Sequence, residues 1–360
     1  MGRITFPIGP QHPALKEPES FRITAEGERV VDVDIRLGYV HRSIEASCIH
    51  RNYVRGMYLC ERVCGICSHS HNNTFARAVE SLLQLEVPRR AKFIRTLVCE
   101  LERIHSHLLW LGVAAHEVGF DTLFMYVWRD REVVMDMLET ISGNRCHYGM
   151  STIGGVKFDL TPEIIAKCKE GLDVLDERTE YYQKVATEEG TFLKRVEGVG
   201  ILTEQQARDL GAVGPTTRGS NVPYDARRAF PHDAYPEVEF DVITSDLCDV
   251  LGRTIVRVLE TKQSVSICRQ VLDKLPDGDI QVRAKPRVPE GETVVRYEAP
   301  RGELIYYMRS DGSDKPARVK VRTPSLANWP AAIAMLEGAY VADVPISIAS
   351  IDPCMSCTDR

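Results

Sequence analysis

Cys60-Glu61-Arg62-Val63-Cys64-Gly65-Ile66-Cys67-Ser68-His69-Ser70-His71 has a counterpart at the far end of the chain, Asp352-Pro353-Cys354-Met355-Ser356-Cys357-Thr358-Asp359-Arg360. Each stretch carries a Cys-x-x-Cys pair, Cys64 with Cys67 and Cys354 with Cys357. Four thiolates delivered as two pairs are a metal-ligand signature, because soft sulfur donors select zinc, nickel, copper(I) or iron–sulfur clusters. A three-residue step lets both sulfurs of a pair face one centre from one turn of chain. On a helix, the three-then-four spacing of Cys64, Cys67 and His71 predicts one shared face. His71 is then a ligand or a hydrogen-bond donor to a sulfur. A structural zinc site is the plain alternative. Zinc ribbons place their pairs about 15–20 residues apart, whereas these pairs bracket nearly the whole chain.

The rest of the chain bounds what such a centre can sit in. Its 360 residues are enough for a large core. Acidic residues outnumber basic ones, 51 to 45, with no long basic run, so nucleic acid is not an expected partner. Eleven cysteines behind a start, Met1-Gly2-Arg3-Ile4-Thr5, that lacks an apolar leader point to a reducing, cytoplasmic setting. No apolar run approaches the roughly 18 residues that span a bilayer.

Working outward from the cysteines, residues 1–40 read as β structure. Val31, Val33, Ile35 and Leu37 alternate with Asp32, Asp34 and Arg36, the period of a half-buried strand, and Phe21 to Ala25 pairs with it across a turn at Gly27. Ahead lies a stiff loop, Gly9-Pro10-Gln11-His12-Pro13-Ala14. Residues 41–285 read as a helical body. Ile94, Leu97, Val98, Leu101, Ile104, Leu108 and Leu111 recur at three- and four-residue steps after Pro88. Further helices are predicted at about 122–141, 162–188 and 243–274. His105 and His107, inside the long helix, read as packing or hydrogen-bonding groups. Cys48, Cys60, Cys99, Cys146, Cys168, Cys248 and Cys268 are isolated in sequence and read as small core residues. The charged stretch 215–228 reads as a loop, either on the surface or at a functional site. In the β-rich part, 286–360, strands are predicted at about 292–298, 303–309 and 317–322, and a short helix at about 326–340 leads into the second cysteine pair. No Gly/Ser linker interrupts the chain. The expected architecture is α+β and predominantly helical, one interlocked domain over 1–360 in which a long-helix bundle carries small sheets from both terminal regions.

Arg62-x-Cys64-Gly65-x-Cys67-x-x-x-His71 and Asp352-Pro353-Cys354-x-x-Cys357 resemble the two metal-binding motifs of the large subunit of nickel–iron hydrogenases, in the same order and near opposite ends. The loop 9–14 and Leu37-Gly38-Tyr39-Val40-His41-Arg42-Ser43-Ile44-Glu45 resemble signatures shared by energy-converting, Ech-type hydrogenases and the related quinone-site subunit of respiratory complex I. The segment 100–107 resembles the complex I relative, which has no nickel. Glu298-Ala299-Pro300-Arg301-Gly302-Glu303-Leu304 and Arg322-Thr323-Pro324-Ser325 resemble hydrogenase segments that border the metals.

The resemblance implies the fold of a hydrogenase large subunit and the catalytic part of a membrane-associated nickel–iron hydrogenase of the Ech type. It implies Cys64 and Cys354 as terminal nickel ligands, and Cys67 and Cys357 as bridges to an iron carrying carbon monoxide and cyanide. His71 would donate a hydrogen bond to a bridging sulfur. Arg301 would lie over the open coordination position and near a cyanide, and Ser325, in the segment with Thr323 and Pro324, would bond the other cyanide. Glu17 falls where the family keeps the glutamate that takes a proton from the terminal cysteine, Cys354, with Glu19 as its rival. Glu45 falls where a carboxylate holds a magnesium-type ion. Arg360 stands in place of the usual histidine partner, which leaves magnesium and a Glu45–arginine pair both open.

The resemblance also implies partners. This chain has no second cysteine cluster, hence no iron–sulfur cluster of its own, so a small subunit with a 4Fe–4S cluster would carry electrons, ultimately to or from ferredoxin. Integral membrane subunits would hold the chain on the cytoplasmic face of the membrane and couple turnover to ion translocation. A chain that stops three residues past Cys357 is expected of a large subunit whose C-terminal extension has been removed. A metal-free complex I-like quinone reductase subunit and a structural four-cysteine zinc protein are the alternatives. The four cysteines weigh against the first.

Overall fold

A computed structural model of the chain describes residues 2–13 and 15–360; Met1 and Ala14, the last residue of the expected stiff loop, lie outside the described residues. Three antiparallel strands come first: β1 (Arg3–Ile8), β2 (Ser20–Glu26) and β3 (Arg29–Arg36). Phe21, Ile23 and Ala25 point inward, and Phe21 meets Trp329 edge to face at 5.7 Å. The third strand departs from the expected alternation. Thr24 pairs with Asp32 but Ala25 pairs with Val30, so the bulge between them buries Val30 and leaves Val31 40 % exposed. One extra residue moves the following side chains to the opposite face. Leu37 lies beyond the strand and is exposed.

The helical body follows as α1 (Ile44–Cys48), α2 (Tyr53–Glu61), α3 (Ser68–Leu83), α4 (Arg89–Glu117) and α5 (Asp121–Ser142). A small hairpin, β4 (Ser151–Thr152) with β5 (Gly155–Val156), precedes α6 (Pro162–Glu188). Short helices α7 (Gly190–Val196), α8 (Glu204–Asp209), α9 (Pro215–Arg218) and α10 (Ala226–Ala229) lead to α11 (Val250–Asp273). A second antiparallel meander, β6 (Gly291–Ala299), β7 (Gly302–Ser310) and β8 (Pro316–Arg322), precedes α12 (Pro324–Leu336), α13 (Val344–Ser350) and α14 (Met355–Asp359). The fold is the expected α+β type, with helices predominant.

Helix α11 begins later than the predicted 243. Cys248 adopts φ 59, which breaks a helix, and Asp249 then caps the new one by accepting the Gly252 amide at 2.8 Å. Helix α12 stops at Leu336, two residues before Gly338, whose φ is 80.

Helix α4 is the axis of the body, with α3, α5, α11 and α13 packed around it. Its apolar stripe is buried as expected, and so is its polar face. Glu100, Glu102 and Arg103 have no exposure, and His105 and His107 have 2 % each. Buried charges require partners. Glu100 meets Arg103 at 3.3 Å and Arg227 at 3.1 Å, and Arg227 meets Asp225 at 2.7 Å. Arg218 meets Glu260 at 2.6 Å and Glu298 at 2.8 Å, while His107 meets Glu260 at 3.0 Å. The surface reading of 215–228 therefore fails: Arg218, Asp225 and Arg227 are buried in this network. The network also places the site. Arg103 donates to the Glu298 and Ala299 carbonyls at 2.8 and 3.3 Å, fixing the end of β6. The chain then turns back tightly against Gly214, where a Cβ would stand 2.2 Å from the Arg301 carbonyl oxygen. Only glycine permits that approach, and it sets Arg301 facing inward.

Candidate metal centre

Cys64 and Cys67 do not share a helical face with His71, because α3 starts only at Ser68. Cys67 is its capping residue, and Cys64 sits in the turn before it. The Cys64 sulfur accepts the amides of Ile66 and Cys67 at 3.3 and 3.5 Å. The second pair repeats this turn: Cys354 caps α14 and its sulfur accepts the Cys357 amide at 3.4 Å. The two turns face each other. Cys64 Sγ lies 3.5 Å from Cys354 Sγ, and Cys67 Sγ lies 3.4 Å from Cys357 Sγ. All four residues are at most 4 % exposed. His71 spans the two halves, with Nε2 3.5 Å from Cys357 Sγ and Nδ1 2.7 Å from the Tyr306 hydroxyl.

Arg301 lies beside the sulfurs. It donates from Nε to the Asp352 carbonyl at 2.8 Å and from Nη2 to Asp352 Oδ1 at 3.1 Å, and Lys16 reaches the same Oδ1 at 3.1 Å. Burial works against its charge, but Asp352, Cys354 and Cys64 hold it well above the ordinary guanidinium range. Ser325 Oγ accepts the Cys354 amide at 3.1 Å, and Thr323 Oγ1 donates to the Cys357 carbonyl at 2.9 Å. Pro324 starts α12, and its side chain carries no polar atom to offer the cysteines.

Four sulfurs this close resist ionising together. Hydrogen bonds from Cys354, Cys357 and Cys67 hold Cys64 well below the usual thiol range, and hydrogen bonding with the other three pushes Cys357 well above it. A cation that takes all four must displace protons. Burial pushes His71 down to about 4, so its ring is neutral at pH 7.

The carboxylates separate. Glu17 is half-buried and binds α14 directly, accepting the Ser356 amide at 2.9 Å and the Ser356 hydroxyl. Glu19 is the fully buried one. Among the described residues it receives no donor, and burial, with the Asp359 carboxylate nearby, pushes it up to about 8, so it holds a proton at pH 7. Glu45 is already occupied: Arg360 Nε lies 2.9 Å from Oε1, Lys320 Nζ 3.4 Å from Oε2, and the Val321 amide donates to Oε1. Two fixed cations on one carboxylate are the wrong surroundings for a divalent ion, so magnesium does not fit there.

The sulfurs do fit a soft metal. Ligands about 2.3 Å from one ion place neighbouring sulfurs roughly 3.3–3.8 Å apart, and the observed pairs are at 3.5 and 3.4 Å. Cys64, Cys354 and Cys357 offer sulfurs within 4.8 Å of one another, as do the donor atoms of Cys67, His71 and Cys357. Arg301 Nη1 is buried without an acceptor, the state of a donor aimed at a further group.

Several residues that place the site were missed in sequence. Arg42 staples the two halves, donating to the carbonyls of Arg62 (3.0 Å), Val63 (2.8 Å) and Ser356 (3.1 Å). Glu102 accepts the His69 and Ser70 amides at 2.7 and 3.0 Å at the start of α3. Tyr148 donates to the Ile66 carbonyl inside the first cysteine turn. The cysteines read as isolated are not all so: Cys48 and Cys60 have sulfurs 3.5 Å apart, and Cys146 reaches the Gly65 carbonyl at 3.6 Å. Packing of α1 on α2 makes the first contact, which no local pattern announces.

The family described as respiratory-chain NADH dehydrogenase, 49 Kd subunit, matches residues 117–287 and 281–360, and the family described as nickel-dependent hydrogenase matches residues 42–113. The membrane-bound hydrogenase subunit alpha of Pyrococcus furiosus is 43% identical over 99% of this chain and 87% of its own length. The carbon monoxide-induced hydrogenase of Rhodospirillum rubrum is 40% identical over the whole of both chains. NADH-quinone oxidoreductase subunit 4 of Thermus thermophilus is 36% identical over 99% of this chain and 94% of its own. Among solved structures, a chain of the membrane-bound sulfane sulfur reductase, an archaeal respiratory membrane complex, superposes with a TM-score of 0.94 at 31% identity, covering 99% of this chain and 98% of that one.

Proposed function

Because the chain belongs to the family that joins Ech-type, membrane-bound hydrogenase large subunits to the 49 kDa subunit of respiratory-chain NADH dehydrogenase, we propose that it is the catalytic subunit of a nickel–iron hydrogenase. The observation that carries this reading is the closed set of four buried sulfurs, paired across the chain at 3.5 and 3.4 Å. A metal-free quinone reductase subunit has no use for such a set. A structural zinc would leave Arg301 Nη1 without purpose.

In this reading Cys64, Cys67, Cys354 and Cys357 would together hold the nickel–iron pair, Cys64 and Cys354 on the nickel and Cys67 and Cys357 between the two metals. When bound, that pair, with carbon monoxide and cyanide on the iron, would supply the redox chemistry that interconverts dihydrogen with two protons and two electrons. The residues of the chain do the rest. Arg301, held by Asp352, presents Nη1 toward the pair. Ser325 spends a lone pair on the Cys354 amide and keeps its O–H to give. The neutral His71 ring gives Nε2–H to Cys357. A proton arriving at Cys354 Sγ passes to Glu17, whose carboxylate is anchored to Ser356, two residues along α14. Among the described residues no helix is long and apolar enough to cross a membrane. Attachment to the cytoplasmic face then runs through integral membrane subunits, and electrons run through a small subunit with a 4Fe–4S cluster to ferredoxin. With its two ends meeting at one centre, the chain is a single interlocked domain.

Elemental analysis for nickel and iron, with infrared bands from carbon monoxide and cyanide, tests the reading. Zinc alone in the purified complex would sink it. For the proton step, Glu17→Gln should keep metals and bands while suppressing hydrogen–deuterium exchange, and Glu19→Gln should be mild. The reverse result would move the relay to Glu19.

A further inference from the structure

Tyr306 stands on β7 behind His71, on the side away from the sulfurs, with no exposure. Its hydroxyl is 2.7 Å from His71 Nδ1, and the two rings meet edge to face at 5.9 Å. Behind the hydroxyl lies the Cys60 thiol, and behind that Cys48, with its sulfur 3.5 Å from that of Cys60. These groups are all buried, so every hydrogen must find an acceptor among them.

A neutral imidazole carries one N–H, and the partner of one nitrogen decides which nitrogen holds it. The phenol keeps its proton because burial and the neighbouring Cys60 and Cys48 oppose its ionisation. Hydrogen bonding with Cys48 and burial keep the Cys60 thiol protonated as well. Cys60 S–H can occupy the acceptor side of the Tyr306 oxygen, and of the two acceptors beside the Tyr306 O–H, the His71 Nδ1 lone pair at 2.7 Å is much the stronger base and the Cys60 sulfur the weaker. The other tautomer would drive that O–H onto the weaker sulfur acceptor and turn a bare Nε2 lone pair toward the sulfur of Cys357.

We infer that Tyr306 is a positioning residue that fixes the tautomer of His71, through a one-way string in which Cys60 S–H donates to Tyr306, Tyr306 O–H donates to His71 Nδ1, and His71 Nε2–H donates to Cys357 Sγ. The string itself needs no metal. It rests on the hydrogenase reading only for what the Cys357 sulfur goes on to bind.

Tyr306→Phe keeps the ring, with its edge-to-face contacts to His71 and Phe75, and removes the hydroxyl alone. Nitrogen-15 NMR of histidine-labelled protein reads the tautomer, with His71 assigned by the signal lost in His71→Gln. The wild type should show the Nε2–H form, and Tyr306→Phe should show a mixture or the Nδ1–H form. In the metal-loaded complex the same change should move the carbon monoxide and cyanide bands to lower wavenumber at unchanged nickel and iron content, because Cys357 loses a hydrogen bond and leaves more electron density on the metals. A wild-type tautomer in Tyr306→Phe overturns the inference, whatever the bands do. If that variant does not fold, the wild-type spectrum decides by itself: a His71 ring protonated at Nδ1 overturns the direction of the string. A tautomer change in a protein whose wild type shows no bands at all would leave this inference standing and sink the hydrogenase reading instead.

Discussion

The two cysteine pairs share a turn and differ in how the fold holds it. Cys64 and Cys67 ride on the start of α3, a helix of 16 residues buried continuously from Ser68 to Ala76 and anchored at its first amides by Glu102. Cys354 and Cys357 ride on α14, which has five residues. A helix that short has no stability of its own in water. It is held by side chains arriving from separate parts of the chain: Arg42, Glu17, Thr323 and Ser325, with His41 Nδ1 2.7 Å from the Asp359 carbonyl. The first half is placed by the core. The second is placed by contacts from several separate segments at once.

If that contrast is right, the two halves should be equal in chemistry and unequal in mechanics. The largest effect belongs to the sulfurs, where Cys64→Ser and Cys354→Ser alike should abolish nickel retention and hydrogen turnover. Wild-type nickel content in Cys354→Ser protein would take the second pair out of the centre. Next comes the clamp on Asp352. Arg301→Ala leaves a buried carboxylate with Lys16 alone, and breaking a buried pair costs about 3–5 kcal/mol, which urea denaturation can read. Arg301→Lys retains the charge but loses the planar fork, so it should keep the metals and lose most of the turnover. Equal turnover would remove Arg301 from the mechanism.

The anchor of the first half should cost less. Glu102→Gln weakens the hold on two buried amides, about 1–3 kcal/mol, spread over the whole cooperative unit. It should also change the pH dependence. Burial pushes Glu102 up to about 8, above the roughly 4.3 of an unfolded glutamate. The folded chain then binds more protons than the unfolded one between those values, so this residue makes stability fall as pH rises from about 4.3 toward 8. Denaturation midpoints at both ends of the window should converge in Glu102→Gln; an unchanged slope would show that the carboxyl does not titrate there. The smallest effects belong to the staples of the second half. Arg42→Ala should loosen α14 in hydrogen exchange with little change in the global midpoint. Glu45→Gln should shift stability by at most about 1 kcal/mol, and chelators should leave the melting temperature alone. A magnesium-dependent melt would restore a divalent ion at Glu45.

Much of the fold was legible because it is written in local periods. The three- and four-residue steps of α4 after Pro88, and the three strands between Gly291 and Arg322, stand where the pattern put them. Readings failed where a single residue changed phase: the bulge at Thr24 and Ala25, the left-handed Cys248, and the start of α3 at Ser68 rather than at Cys64. The polar face of α4 gave no local signal of its burial. Glu100 is buried between Arg103 of its own helix and Arg227 from the stretch 215–228, and His107 meets Glu260 of α11.

The sequence alone determined the number and softness of the donors, since two Cys-x-x-Cys turns set their paired sulfurs by bond geometry whatever surrounds them. Only the tertiary structure decided that Cys64 meets Cys354 and Cys67 meets Cys357. It alone decided that Arg42 ties the two turns and that Tyr306 backs His71, and it chose the Arg360–Glu45 pair from the two possibilities the sequence left open. Spacing governs neighbours within a turn or two of chain. Contacts between residues hundreds of positions apart depend on which buried polar groups packing leaves to satisfy one another, and that is settled only once the whole core has closed.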